Sequence, residues 1–237
     1  MAMAPRRQSR PAVDAVLATR VVSVVDLYNY DELRRLNDAT AIVVRPSAPA
    51  LVLGSSQDES VLDASHCDVS VVRRRRGGGG VVLVAPGDLW VDWWIPVGDE
   101  RWRADSRESS QLVGTWWRDA LRQRLNGPLE VHHGGLEGSA DHRVVCFAGR
   151  GPGEVFLDGR KVVGVTQWRV REGIFVSSII PSRDAHAILD CLAAVPEELD
   201  DALAHYTTSS LGLDDTDVTR VLATSGRWAT SPIRPSL

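Results

Sequence analysis

Leu89, Val91, Trp93 and Ile95 fall on one face of a two-residue period and Trp90, Asp92 and Trp94 on the other, which predicts a β-strand. Runs at Ala41 to Arg45 and Ala50 to Gly54, separated by a proline turn, predict two more strands, and Val69 to Arg74 and Val81 to Ala85 a further pair. A second series covers Glu130 to His132, Arg143 to Ala148, Glu154 to Leu157, Lys161 to Arg169 and Ile174 to Ile180, with Asp158-Gly159 and Glu172-Gly173 as hairpin turns. Helical spacing with acidic starts marks Asp26 to Asn37 and Asp58 to Cys67. A longer helix is expected from Ser106 to Asn126, closed by Gly127 as a left-handed cap, and from Arg183 onward the pattern is helical and alanine-rich. Hairpin-linked strands with helices gathered in blocks define an α+β fold, not a doubly wound parallel sheet. No repeat or long linker divides the chain, so residues 21–237 are expected to form one domain behind a flexible N-terminal arm, 1–20.

Composition narrows the function classes. A chain of 237 residues with 43% hydrophobic and 24% charged residues can bury a full core. Arg6, Arg7, Arg10, Pro5 and Pro11 resemble the start of a secretory signal, but Asp14 and Arg20 interrupt any apolar stretch behind them. With no uncharged run of membrane-spanning length, the expected setting is cytoplasmic, without a membrane partner. Cys67, Cys146 and Cys191 are too few and too scattered for a disulfide framework or zinc spacing and are expected to be reduced thiols. The six histidines, including His132-His133, have no carboxylate at metal-ligand spacing, so no metal site is expected in the chain itself. A net charge of -4 and one basic run, Arg73 to Arg76, without interleaved aromatics argue against nucleic acid.

Two segments carry chemistry. The chain has 26 arginines and a single lysine, Lys161. Lysine kept where arginine serves everywhere else points to a need for a compact ammonium on a flexible stem. The second segment is Arg73-Arg74-Arg75-Arg76-Gly77-Gly78-Gly79-Gly80, between two predicted strands. Consecutive glycines let backbone approach a ligand and present N–H groups, and adjacent arginines can clamp an anion. The spacing is neither that of a Walker loop nor that of a Rossmann turn.

Together these segments resemble the catalytic domain shared by lipoate protein ligases, biotin protein ligases and octanoyltransferases. The resemblance runs from Leu53-Gly54-Ser55-Ser56-Gln57 through Arg73-Arg74 with Gly77-Gly78-Gly79, then Gly87-Asp88-Leu89, to Asp158-Gly159-Arg160-Lys161-Val162-Val163-Gly164 with Gln167, over about residues 40 to 182. It implies a mixed, largely antiparallel sheet flanked by helices, in agreement with the periodicity. It also implies an enzyme that joins a lipoyl or octanoyl carboxylate to AMP, using ATP and Mg, and passes the acyl group to a lysine of a lipoyl carrier domain. Such carriers are of the 2-oxoacid dehydrogenase E2 or glycine cleavage H protein type, and a separate accessory domain can complete the enzyme.

Residue by residue, the resemblance makes Lys161 the ammonium set between carboxylate and phosphate, and Gly77, Gly78 and Gly79 the loop around the acyl adenylate. It places Arg73 and Arg74 near the anion, with Asp88 and Gly164 as further binding positions. Trp90, Trp94 and Val82 are candidates for a tunnel around the apolar tail, although tryptophan in a strand is ordinarily core. Arg76 and Leu83-Val84 stand where ligases have Ser/Thr and His-Asp; Ser177-Ser178 replaces His-Gly, and Asp88 an asparagine. Cys146, fifteen residues before Lys161, resembles the nucleophile of one group of octanoyltransferases, and an adjacent ammonium favours a thiolate. A cysteine-dependent transferase through a thioester is therefore an alternative. A non-catalytic acyl- or biotin-binding protein is another.

Overall fold

Strand alternation in the computed structural model, which describes residues 19–22, 31, 33–63, 65, 67, 69, 72–206 and 211–228, organises two apolar cores on the two faces of one sheet. Among the described residues the strands are β1 (Thr19–Val22), β2 (Thr40–Pro46), β3 (Ala50–Leu53), β4 (Val72–Arg74), β5 (Val82–Val84), β6 (Leu89–Pro96), β7 (Leu129–Val131), β8 (Val155–Leu157), β9 (Arg160–Arg169) and β10 (Gly173–Ile180). The helices are α1 (Ser106–Leu121), α2 (Glu197–Tyr206) and α3 (Asp215–Thr224). A seven-stranded sheet has the order β1-β2-β6-β10-β9-β8-β7, antiparallel except for the β1–β2 pair. A three-stranded sheet, β4-β3-β5, mixes one parallel and one antiparallel pair. This is the α+β architecture expected from the hairpin pattern.

Strand β6 shows how the sequence drives the layering. Leu89, Val91, Trp93 and Ile95 pack with Val113, Trp117 and Leu121 of α1 and Val218 of α3, while Trp90 and Trp94 pack with Leu51, Leu53, Val82 and Val84 of the small sheet. A core this rich in tryptophan must satisfy its indole N–H groups. Ser178 Oγ accepts from Trp93 (2.9 Å) and Trp117 (2.8 Å), and Ser177 Oγ accepts from Trp90 (2.9 Å). The serine pair on β10 is thus tied to the core that surrounds it. The Asp158-Gly159 turn has both residues at positive φ, 51° and 79°, as a two-residue hairpin requires.

Several expectations change. Arg143 to Ala148 is not a strand: a 3₁₀ turn at Asp141–Arg143 leads into a buried loop, and only Val145 bridges, in parallel, to Val81. Val81 N donates to Val144 O and Cys146 N to Val81 O, so this apolar run is buried by wrapping onto the entrance to β5. Among the described residues, Asp58 to Cys67 gives a 3₁₀ turn, Glu59–Val61, capped by Asp58, with Ser65 also in 3₁₀ conformation; Asp26 to Asn37 gives Leu33–Arg35, its remainder lying partly outside the described residues. Helix α1 stops at Leu121, whose carbonyl takes both Arg124 N and Leu125 N. Gly127, at φ 129°, therefore does not cap it; a Cβ there would come 3.0 Å from Asp158 Oδ2 and from Leu157 Cδ1. Thr19 and Arg20, at the end of the expected arm, lie in β1, and residues 1–18 lie outside the described residues.

The expectation of three reduced thiols is also corrected. Cys67 and Cys191 form a disulfide with Cα atoms 5.2 Å apart, across 124 residues of sequence, leaving Cys146 as the free thiol. Only the fold brings the loop before β4 to the 3₁₀ segment Ala185–Cys191. Among the described residues, no helix is long and apolar enough to cross a membrane.

Candidate functional site

The aim of Lys161 is set by an irregularity in the sheet. Phe156 of β8 lies opposite Lys161, but Val155 lies opposite Val163, so Val162 is an extra residue, a β-bulge. Strict alternation would have put Lys161 with Val163, against the α1 core; the bulge turns it to the face of Gly164 and Thr166. There the side chain is 1% exposed, with Nζ 2.8 Å from Glu154 Oε2 and donating to Cys146 O at 2.9 Å. Nζ also sits 5.3 Å from the Phe147 ring centroid. Glu154 Oε2 accepts from Gly151 N at 2.6 Å as well. Burial pushes the Glu154 carboxyl up, and the Lys161 ammonium opposes that rise.

The glycine loop is built on a residue that the sequence motifs did not single out. Arg75, 2% exposed, donates to Gly78 O through Nε (3.1 Å) and Nη2 (2.8 Å), to Gly80 O through Nη2 (2.7 Å), and to Val52 O through Nη1 (3.3 Å). Its planar fork turns the loop's carbonyls inward. Among the described residues, the N–H groups of Gly78, Gly79 and Gly80 have no acceptor, the arrangement of an anion-binding nest. The need of a tight glycine turn for an internal cation was the available signal.

Lys161, Cys146, Gly78 and Gly79 line one cleft of about 380 Å³, with Arg107, His142, Arg143, Arg150, Thr166 and Gln167. A second cavity of about 240 Å³ meets Lys161 from its other side, beside Phe147, Leu89, Ser182 and Arg183. The other expected residues stand elsewhere. Gly77 is buried, packed where a Cβ would come 2.4 Å from Thr166 Oγ1, and Gly164 is packed against Phe147. Arg74 donates to Gly54 O (3.1 Å) and to Gln57 O, and Arg73 Nη1 to Val72 O, both away from the cleft lining. Asp88 is buried and accepts from Ala85 N, Ser182 N and Ser182 Oγ, each at 2.8 Å, closing a turn. Trp90, Trp94 and Val82 are core and do not line the cleft.

The loop yields a paired expectation. A Cβ on Gly78 meets nothing within 4 Å, whereas one on Gly80 would lie 2.6 to 2.7 Å from the backbone of Arg143, Val144 and Val145. Gly78→Val should therefore weaken ligand binding about tenfold or more with little change in stability, while Gly80→Ala should cost roughly 1–3 kcal/mol through backbone displacement. Titration of ligand and denaturant unfolding of both variants check this; the reverse pattern would contradict it.

A buried carboxylate lies on the same sheet face. Burial pushes Asp92 up to about 6, against hydrogen bonds from Ser177 and Trp90 that pull it down. Between 3.8 and about 6 the folded chain holds a proton that the unfolded chain has released, so this residue makes stability fall as pH rises, by about 3 kcal/mol. Asp92→Asn removes that dependence. Its unfolding free energy relative to wild type should improve by about that amount between about pH 4 and pH 7; a constant difference would contradict the assignment.

No family model matches the sequence, and no curated protein is detectably similar to it. Solved structures are. The bi-partite lipoate protein ligase of Thermoplasma acidophilum superposes with a TM-score of 0.65 at 12% identity, over 88% of this chain and 81% of that one. Lipoate-protein ligase A bound with ATP gives 0.61 at 12%, over 88% and 82%. LipL1 of P. falciparum, in complex with lipoate, gives 0.52 at 14%, over 84% of this chain and 53% of that one. At such identities the likeness is one of fold. The chain has the fold of the lipoate protein ligase catalytic domain, as its glycine loop and its lysine-bearing hairpin imply.

Proposed function

We propose that this chain joins a lipoyl or octanoyl carboxylate to AMP and passes the acyl group to a lysine of a lipoyl carrier domain. The observation that carries this reading is the chain's single lysine, buried and turned by a bulge into a cleft whose glycine loop offers N–H groups that have no acceptor among the described residues. A carboxylate attacking an α-phosphate is a meeting of two anions. An ammonium between them, in a site shielded from water, offsets that repulsion. Nζ has three N–H donors; Glu154 and Cys146 O take two and fix the direction of the third.

Arg107, Arg143 and Arg150 add positive charge along the cleft, suited to the polyphosphate of ATP. ATP and lipoate are bound by fold neighbours, and one neighbour is a bi-partite lipoate protein ligase that was studied along with its E2 lipoyl domain. A carrier of the E2 or glycine cleavage H protein type, a separate accessory domain and a cytoplasmic setting belong to the same reading. Magnesium fits less well: among the described residues no group of three or more ligand side chains could hold a metal, and Glu154 is committed to Lys161. No step is assigned to it.

A second reading rests on Cys146, a partly exposed free thiol lining the same cleft. As nucleophile it would take the acyl group as a thioester, releasing the donor carrier, and hand it to the acceptor lysine without ATP. Initial rates of carrier acylation by wild type and Cys146→Ser, with acid plus ATP or with an acylated donor carrier, separate the two. A serine variant that keeps ATP-dependent activity is expected; loss of transfer in it, with a trapped thioester in the wild type, would establish the transferase instead. Folded protein inactive with both donors would leave a binding protein.

A further inference from the structure

Lys161 is the only residue common to the linings of the cleft, about 380 Å³, and of the second cavity, about 240 Å³. The second cavity is otherwise built from parts of the chain that the cleft does not use. Leu89 of β6, Val162 of the bulge, Ile180 of β10, and Leu211 and Leu213 before α3 give it an apolar wall, with the first three buried. Gly87, Ser182, Arg183 and Gly212 also line it, and all four are exposed. Gly87 and Gly212 have positive φ, 97° and 62°, and bring no side chain to that rim. The cavity thus leads from a polar rim at the surface to Lys161.

Its size and lining indicate what it takes. Pockets that bury a whole small ligand usually hold roughly 300–1,000 Å³, a range that the cleft enters and the second cavity, at about 240 Å³, does not. A polar rim, an apolar wall and a reacting centre at the inner end suit one long side chain with an aliphatic stem and a reactive tip. Lysine has that form, since its four-carbon stem lies along apolar surface while the nitrogen stays with polar groups.

We propose that the second cavity is the port through which the acceptor lysine of the carrier reaches the acyl group. The inference rests on the reading that an acyl adenylate occupies the cleft with its carbonyl at Lys161. The cleft is then filled, and the attacking amine needs a separate approach to the same point. The apolar wall, with Lys161 and Arg183 as neighbouring cations, favours the neutral amine, the form that attacks. Its nitrogen bonds to the acyl carbon, and the bond from that carbon to the AMP oxygen breaks, its electron pair staying on the oxygen. The proton that the nitrogen sheds goes to the departing phosphate.

The test uses the full chain preloaded with octanoyl adenylate and freed of excess by gel filtration. Single-turnover rates are compared for two acceptors: hydroxylamine, small enough to need no port, and a lipoyl domain of an E2 subunit. Leu213→Trp and, from the 3₁₀ segment Ala185–Cys191, Ala185→Leu narrow the cavity, with circular dichroism checking each fold. The ratio of carrier acylation to hydroxamate formation is expected to fall about tenfold or more in both. A wild-type ratio in either folded variant would overturn the proposal. So would loss of bound adenylate in both, which would give the cavity to the cleft's own ligand. Adenylate formation from octanoate and ATP is measured separately. Its absence, with the ratio falling as expected, refutes the adenylation reading alone, and its presence with an unmoved ratio refutes this proposal alone.

Discussion

Lys161→Arg is expected to slow acyl adenylate formation by about 10²–10³-fold, the usual cost of removing one well-placed stabilising donor. The charge survives the substitution, but the geometry does not. Nζ fits between Glu154 Oε2, Cys146 O and the Phe147 ring as a compact centre, and the side chain is 1% exposed. A guanidinium is larger and planar, so it displaces its neighbours, at a stability cost of roughly 1–3 kcal/mol, and its fork cannot present a single N–H along the same line. Adenylate rates together with denaturant unfolding check both effects. A variant that keeps most of its activity would remove Lys161 from the chemistry.

Glu154→Gln is expected to destabilise the protein by about 3 kcal/mol, because it leaves a buried ammonium without its counter-charge. The amide oxygen of the introduced glutamine would still accept from Gly151 N, so the loss isolates the ion pair. Activity should fall too, since the ammonium loses the partner that fixes its direction. The double substitution Lys161→Met with Glu154→Gln distinguishes the two consequences: it should recover stability relative to Glu154→Gln alone, while remaining inactive. Unfolding free energies and adenylate rates for the two single variants and the double form the cycle. Strictly additive stability losses would contradict the pairing.

The parts of the site legible in the sequence are those governed by local rules. The alternation of β6 and the Asp158-Gly159 hairpin are readable within a few residues and hold in the structure, and the rarity of lysine singles out Lys161, which the structure places at the cleft. Glu154 was not legible as the partner of Lys161, because the pairing depends on the Val162 bulge, which leaves no compositional mark. Arg75 was hidden among four arginines, where only the finished loop reveals which guanidinium is enclosed by carbonyls. Asp88 looked like a ligand contact yet closes a turn, since a carboxylate near a glycine serves either purpose. The run Arg143 to Ala148 has strand composition, but its apolar residues are buried as a loop. The Cys67–Cys191 bond depends on tertiary proximity alone.

The most direct measurement of the central claim is mass spectrometry of the purified chain incubated with lipoate or octanoate, with and without ATP. Lipoyl or octanoyl adenylate formed only with ATP, and absent for Lys161→Arg, is the predicted result. An acyl thioester on Cys146 without ATP, or no acyl adenylate from folded wild-type protein, would contradict it.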